Sequence, residues 1–186
     1  ANLRKIQLSK KKKNNGISLR GNVSTSIYNN YSGSVPLIYW ENEKTGYIGS
    51  GSLIDKCGLI LTNWHVVKEA KDLIIIYKPK NGESITDAVS YPAEIVLHEE
   101  DLDLAIIKVN TVPSNIKTIP IAKNYKINVG EDIHAIGHPD GHYWTYSKGI
   151  VSQIRNKYKF KYKKSNHQAN VIQIQTTIDT GSSGGP

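Results

Sequence analysis

The sequence predicts an all-β protein laid out as two successive small barrels. Short apolar runs recur between Gly, Pro, Asn and Asp turn residues, and almost no stretch sustains a helical period. These runs fall into two sets, parted by a polar segment at residues 111–120 that carries Pro113 and Pro120. Residues 35–110 are expected to form the first barrel and residues 121–186 the second.

Taken in order, residues 1–34 read as a basic, flexible arm. Four lysines stand in a row at Lys10 to Lys13, followed by Asn, Ser and Gly with no apolar period. The first barrel then has six strand candidates, at residues 35–41, 47–54, 59–62, 73–78, 93–98 and 104–109. Between the third and fourth, residues 64–70 suit a single helical turn that presents His65 at the seam of two barrels. The second set has only four candidates, at residues 132–137, 145–154, 157–163 and 171–177.

Three segments carry chemistry. They are Thr62-Asn63-Trp64-His65-Val66-Val67, Asp101-Leu102-Asp103-Leu104-Ala105 and the terminal Gly181-Ser182-Ser183-Gly184-Gly185-Pro186. A serine hydroxyl is a poor nucleophile at neutral pH unless an imidazole takes its proton and a carboxylate fixes the imidazole tautomer. A Ser-Gly-Gly alone would be an ordinary loop. A histidine, an aspartate and a serine arriving in that order, each in its own distinctive segment, point to nucleophilic catalysis. Asp101 competes with Asp103, and Ser182 with Ser183. Strand alternation along residues 102–109 would keep Asp103, Ala105 and Ile107 on one face.

Over about residues 35–186 the sequence resembles the trypsin-like, chymotrypsin-fold serine peptidases, in the bacterial branch of the high-temperature-requirement proteases and the glutamyl endopeptidases. Gly49-Ser50-Gly51-Ser52-Leu53-Ile54 is similar to the family's strand before the histidine, and Leu61-Thr62-Asn63-Trp64-His65-Val66-Val67 to its histidine segment. Asp103-Leu104-Ala105-Ile106-Ile107-Lys108-Val109 resembles the aspartate strand. Ala135-Ile136-Gly137-His138-Pro139 with Ser147-Lys148-Gly149-Ile150-Val151-Ser152 resembles the first hairpin of the second barrel. The resemblance implies a two-barrel chymotrypsin-like fold and a serine endopeptidase acting on polypeptide substrate. It makes His65 the general base, Asp103 its orienting partner and Ser183 the nucleophile, because in the family the glycine pair directly follows the reactive serine.

It further implies an oxyanion hole from the backbone N–H groups of Gly181 and Ser183. Glycine at 181 admits the left-handed backbone that turns its N–H inward. The position six before the nucleophile, an acidic pocket base in trypsin-like relatives, is Thr177 here. With Ile178 it suggests a neutral pocket floor and no Arg or Lys preference. Ser182 stands where zymogen-activated members carry an aspartate that pairs with a new N-terminus, so Ala1 need not be buried. In relatives at least two more strands follow the nucleophile loop. The second barrel is therefore expected to be incomplete at the C-terminus, and the sequence reads as the front part of a longer polypeptide with a C-terminal segment or downstream domain completing it. On its own it would be expected to have little peptidase activity.

Composition permits such a domain without choosing its activity. The 186 residues are 38% hydrophobic, enough for a core, and no apolar run approaches the roughly 18 residues of a membrane span. The single cysteine, Cys57, excludes an internal disulfide and reads as a small buried hydrophobe near a strand turn. The absence of Met means Ala1 is not a translation start. With the lack of disulfides, this slightly favours an exported, periplasmic or extracellular protein over a cytoplasmic one.

His134, His138 and His142, with Asp140, are spaced by four, but on a strand and loop that spacing does not gather imidazoles around a metal. No metal or cofactor is implied. In residues 155–164, Tyr158, Phe160 and Tyr162 alternate with Lys157, Lys159, Lys161 and Lys163. This fits a hairpin whose aromatic side packs inward while lysines face water. It also fits an aromatic and cationic face for nucleic acid or another anionic partner. A protease-like binding module with suppressed activity, engaging nucleic acid through this basic surface, is therefore the alternative to the peptidase.

Overall fold

The computed structural model describes residues 21–80, 84–162 and 165–186. The strands are β1 (Leu37–Glu41), β2 (Gly46–Ser50), β3 (Ser52–Leu53), β4 (Leu59–Thr62), β5 (Leu73–Ile76), β6 (Ser90–Glu99), β7 (Leu104–Val109), β8 (Asp132–Gly137), β9 (Thr145–Tyr162) and β10 (Ser165–Gln175). Two helices, α1 (Gly21–Tyr31) and α2 (Trp64–Val67), complete the described elements together with short 3-10 turns. Strand accounts for 43% against 14% helix, as the all-β reading expects.

The first seven strands form one antiparallel sheet in the order β2-β1-β5-β6-β7-β4-β3, curled into a half-barrel. Period-two alternation shapes its core. On β5, Leu73 and Ile75 are buried while Ile74 and Ile76 are half-buried; on β7, Ala105, Ile107 and Val109 are buried. Ile38, Trp40, Leu53, Ile60 and Val67 meet them from β1, β3, β4 and α2. A bulge between Ile95 and Leu97 on β6 bends the sheet around this core. The connection to the second sheet stays pinned to the first. Ile116 is buried in its core, and the Ile119 N–H donates to the Leu53 carbonyl at 2.7 Å.

The second sheet has the order β10-β9-β8. Where the sequence suggests four strands, three are found among the described residues, because residues 145–154 and 157–163 are not separate elements. β9 runs unbroken through Arg155 and Asn156. What reads as a break is a bulge: Tyr158 pairs with Ala169 but Arg155 with Val171, Lys157 takes φ +49°, and its N–H is received by Asn170 Oδ1 at 2.9 Å. The sheet is open. Ile136 and Val151 are buried, whereas Ile150, Ile172 and Ile174 are exposed, so this half matches a chymotrypsin-like fold with an incomplete second barrel.

Residues 21–34 correct the expectation of a flexible arm; the remainder of that expectation, residues 1–20, lies outside the described residues. Helix α1 docks through Tyr28, whose hydroxyl donates to the Trp144 carbonyl at 3.0 Å. Lys78 Nζ donates to Tyr28 Oη and Ser32 Oγ, each at 3.0 Å, and sits 4.2 Å from the Tyr28 ring centroid. Ser32 and Ser34 are buried. The helix sequence, GNVSTSIYNNY, is poor in helix formers; its structure comes from these tertiary contacts.

Cys57 is a second correction. It lies in the turn after β3 as expected, but it is exposed. Its thiol meets Asp55 Oδ1 at 2.6 Å, and that carboxylate raises the thiol's pKa above its ordinary value, which disfavours a reactive thiolate.

Candidate active site

Helix α2 is a single turn held from three sides. Val66 and Val67 are buried beneath it, Trp40 Nε1 donates to the Val66 carbonyl at 2.7 Å, and the Trp64 ring stacks on His98 with centroids 4.0 Å apart and planes 10° apart. This fixes the backbone at His65. His65 Nδ1 lies 2.6 Å from Asp103 Oδ2, and both side chains are about a quarter exposed, at 26% and 28%.

Asp103 is not on the strand, as alternation suggests. It sits in a turn before β7 at φ +53°, with its N–H donating to the Glu100 carbonyl at 3.0 Å. Aspartate is among the few non-glycine residues that tolerate this region. The turn aims the whole residue at the segment Asn63-Trp64-His65. Its carbonyl receives the Trp64 N–H at 3.1 Å and Asn63 Nδ2 at 2.8 Å, and Oδ1 receives the His65 N–H at 2.8 Å while Oδ2 faces the ring. Four contacts therefore lock the carboxylate and the imidazole together. Asp101, two residues before Asp103, is exposed.

The terminal turn packs into the junction of the two sheets. Ser182 N–H donates to the Asp179 carbonyl at 2.9 Å, and the Gly185 N–H to the Ser182 carbonyl at 3.0 Å. Gly181 has φ +95°, and a Cβ there would lie 2.3 Å from the His138 carbonyl oxygen. Gly184 has φ +87°, and a Cβ would lie 2.1 Å from the Ser50 carbonyl oxygen and 2.2 Å from Thr62 Oγ1. Both positions need a residue without a side chain. Thr62 is three residues before His65, so this contact seats the turn beside the histidine segment.

Ser50, fully buried, is the hub of this junction. Its N–H donates to the Ser183 carbonyl at 2.9 Å, and its hydroxyl donates to the Gly181 carbonyl at 2.7 Å while accepting the His138 N–H at 3.2 Å. Its own carbonyl accepts from Thr62 Oγ1 at 2.8 Å. Sequence reasoning missed Ser50, Asn63 and Trp40 as site-building residues, since nothing in a serine between two glycines distinguishes a hub from a turn. Ser50→Ala is expected to lower stability by about 1–3 kcal/mol, because two buried partners lose their bond at once. A urea titration of both proteins reads this.

Ser183 borders a cavity of about 710 Å³ whose wall also includes Asn63, Ile133, Ile174, Thr177 and Ile178. The two candidate pocket residues thus share one hollow with Ser183 and with the residue two before His65. The histidines weighed as a metal set lie in different settings. His134 Nδ1 meets Tyr146 Oη at 2.6 Å, His138 is fully buried with its Nδ1 accepting the Trp144 N–H at 3.1 Å, and His142 follows a 3-10 turn.

Two antiparallel β-sheets, the first carrying an imidazole–carboxylate pair and a glycine-rich serine turn packed at their junction, are the marks of the trypsin-like class of serine hydrolases. The chain belongs to that family: the trypsin-like peptidase domain matches residues 49–186. It is 31% identical over 138 residues to Protease Do-like 1, chloroplastic, of Arabidopsis thaliana, covering 74% of this chain and 29% of that one. It is 32% identical over 139 residues to a probable periplasmic serine endoprotease DegP-like of Pseudomonas putida, covering 75% and 26%. With the serine endoprotease DegS of Haemophilus influenzae it shares 28% over 172 residues, covering 92% and 46%. A crystal structure of a serine endoprotease from Yersinia pestis superposes with a TM-score of 0.69 at 25% identity, covering 87% of this chain and 52% of that one. The chain thus spans from about a quarter to half the length of these proteins. Among the described residues no helix is long and apolar enough to cross a membrane.

Proposed function

We propose that the chain carries the catalytic machinery of a serine endopeptidase. The observation that carries this reading is the 2.6 Å contact of His65 Nδ1 with Asp103 Oδ2. It keeps the proton on Nδ1 and frees Nε2 to accept another. Ser183 Oγ attacks the scissile carbonyl carbon as its proton passes to His65 Nε2. The N–H groups of Gly181 and Ser183 receive the oxyanion. Collapse breaks the C–N bond, and His65 returns the proton to the leaving amine, leaving an ester on Ser183. Water, deprotonated by His65, then releases the carboxylic acid and restores the hydroxyl. Ser183 is preferred to Ser182 because Ser182 Oγ accepts the Asp179 N–H at 3.3 Å within the turn itself.

The substrate is a polypeptide whose side chain enters a hollow floored by Thr177 and Ile178, uncharged residues that suit an uncharged side chain. An exported setting is supported by the relatives named as periplasmic. Mass spectrometry after fluorophosphonate treatment tests the reading. An adduct is expected on Ser183 in the folded protein and is expected to vanish in His65→Ala. A folded preparation of the full-length protein that takes no adduct on Ser183 overturns it.

A further inference from the structure

β8 pairs with β9 only over Thr145 to Ile150, so the rest of β9 leaves the sheet as a two-stranded ribbon with β10. Tyr158 and Phe160 are 44% and 37% exposed on this ribbon, and Lys157, Lys159 and Lys161 are exposed as well. The expectation that the aromatic side packs inward is therefore corrected for these residues. The charge is one-sided. Residues 145–178 contain Lys148, Arg155, Lys157, Lys159, Lys161, Lys163 and Lys164 and no Asp or Glu, against a net charge of +8 for the whole chain.

The bulge at Lys157 has a consequence for side-chain placement. It adds one residue between Arg155 and Tyr158, which shifts the alternation and brings Arg155 onto the Tyr158 face. The guanidinium carbon lies 5.6 Å from the Tyr158 ring centroid, and the Tyr158 and Phe160 rings are nearly parallel, 16° apart with centroids at 6.3 Å. One face thus presents a guanidinium and two parallel rings in a row, and the other presents Lys157, Lys159 and Lys161.

We propose that this ribbon binds single-stranded nucleic acid, independently of the hydrolytic reading. Bases stack on the Tyr158 and Phe160 rings and against the Arg155 plane, while the phosphates follow the lysines around a ribbon only two strands wide. Charge alone would suit any polyanion; the parallel rings select a ligand with flat faces. An acidic peptide would use the lysines and leave the rings idle. A membrane surface would take the rings and leave the opposite lysine row facing away from it.

Fluorescence anisotropy of a labelled oligothymidylate titrated with the full chain tests this. Three phosphate contacts through Lys157, Lys159 and Lys161 predict a slope of about −2.1 for log K against log salt, or roughly a 20-fold loss of affinity between about 50 and 200 mM. Tyr158→Ala and Phe160→Ala are each expected to weaken binding about tenfold without changing the slope, and Lys159→Gln to make the slope shallower. Circular dichroism of each variant confirms that the strands persist. Absence of binding at the lower salt overturns the proposal, as does binding indifferent to both aromatic variants. Equal retention of polyglutamate or phosphatidylglycerol vesicles with the same dependence on the rings also overturns it, reassigning the ribbon to those partners.

Discussion

Asp103→Asn in the full-length protein is expected to lower kcat on a chromogenic peptide substrate about ten-thousandfold while leaving the fold intact. Asparagine keeps the shape of the aspartate and tolerates the same φ of +53°. Its Oδ1 still accepts the His65 N–H, now at 2.8 Å, and its carbonyl still receives Trp64 and Asn63. The change falls on the 2.6 Å contact with Nδ1. An amide Nδ2 there donates where Oδ2 accepted, so the imidazole must carry its proton on Nε2. In that tautomer it has nothing with which to take the Ser183 proton. Asp103→Ala would be a poorer test, since it also strips the His65 N–H of its acceptor. Asp101→Asn, two residues before the four-contact arrangement, is expected to stay within a few-fold of wild type. A loss at position 101 that matched the loss at 103 would sink the assignment of the orienting carboxylate.

The parts of this arrangement that were legible in the sequence are those whose physics is local. Leu73 to Ile76 and Leu104 to Val109 alternate between buried and less buried positions in the structure, as a half-buried strand must. Glycine at 181 announces backbone that other residues avoid, and it has positive φ. What escaped depends on partners distant in sequence. Helix α1 has little intrinsic helical preference and is held by Trp144 and Lys78, neither of which its own residues announce. Asp103 reads as a strand residue because Leu102 and Leu104 flank it, whereas the competing demand to face His65 pulls it into a turn. Arg155-Asn156 looks like a turn between two strands, and the Asn170 side chain across the ribbon makes it a bulge instead. Ser50 serves Ser183 and Gly181 from 131 or more residues away, a relation that no local pattern encodes.

His138 is expected to make stability pH-dependent, by about 3 kcal/mol between pH 6.5 and pH 4. It is fully buried at the foot of the terminal turn, in edge contact with Trp144 at 5.0 Å, and its Nε2 lacks a full hydrogen bond. Burial pushes its pKa down to about 4, against the opposing pull of the Pro36 and Val35 backbone. The unfolded chain, with a histidine near 6.5, takes up a proton that the folded protein refuses. Stability from this group is therefore fully present above pH 6.5 and is lost as pH falls toward 4, below which both states are protonated and the loss is complete. A fall from 6.5 to about 4 corresponds to the roughly 3 kcal/mol. His138→Asn removes the titration while offering an amide oxygen near the Trp144 N–H, which His138 Nδ1 receives at 3.1 Å. That variant is expected to be less stable at pH 8 yet to show a flatter slope between 6.5 and 4 in urea unfolding curves. Because the His138 carbonyl packs within 2.3 Å of where a Gly181 Cβ would lie, charging the ring is expected to loosen the strut on which the proposed oxyanion donors rest. If wild type and His138→Asn lose stability in parallel over this window, the imidazole is not held neutral, and the strut does not answer to pH.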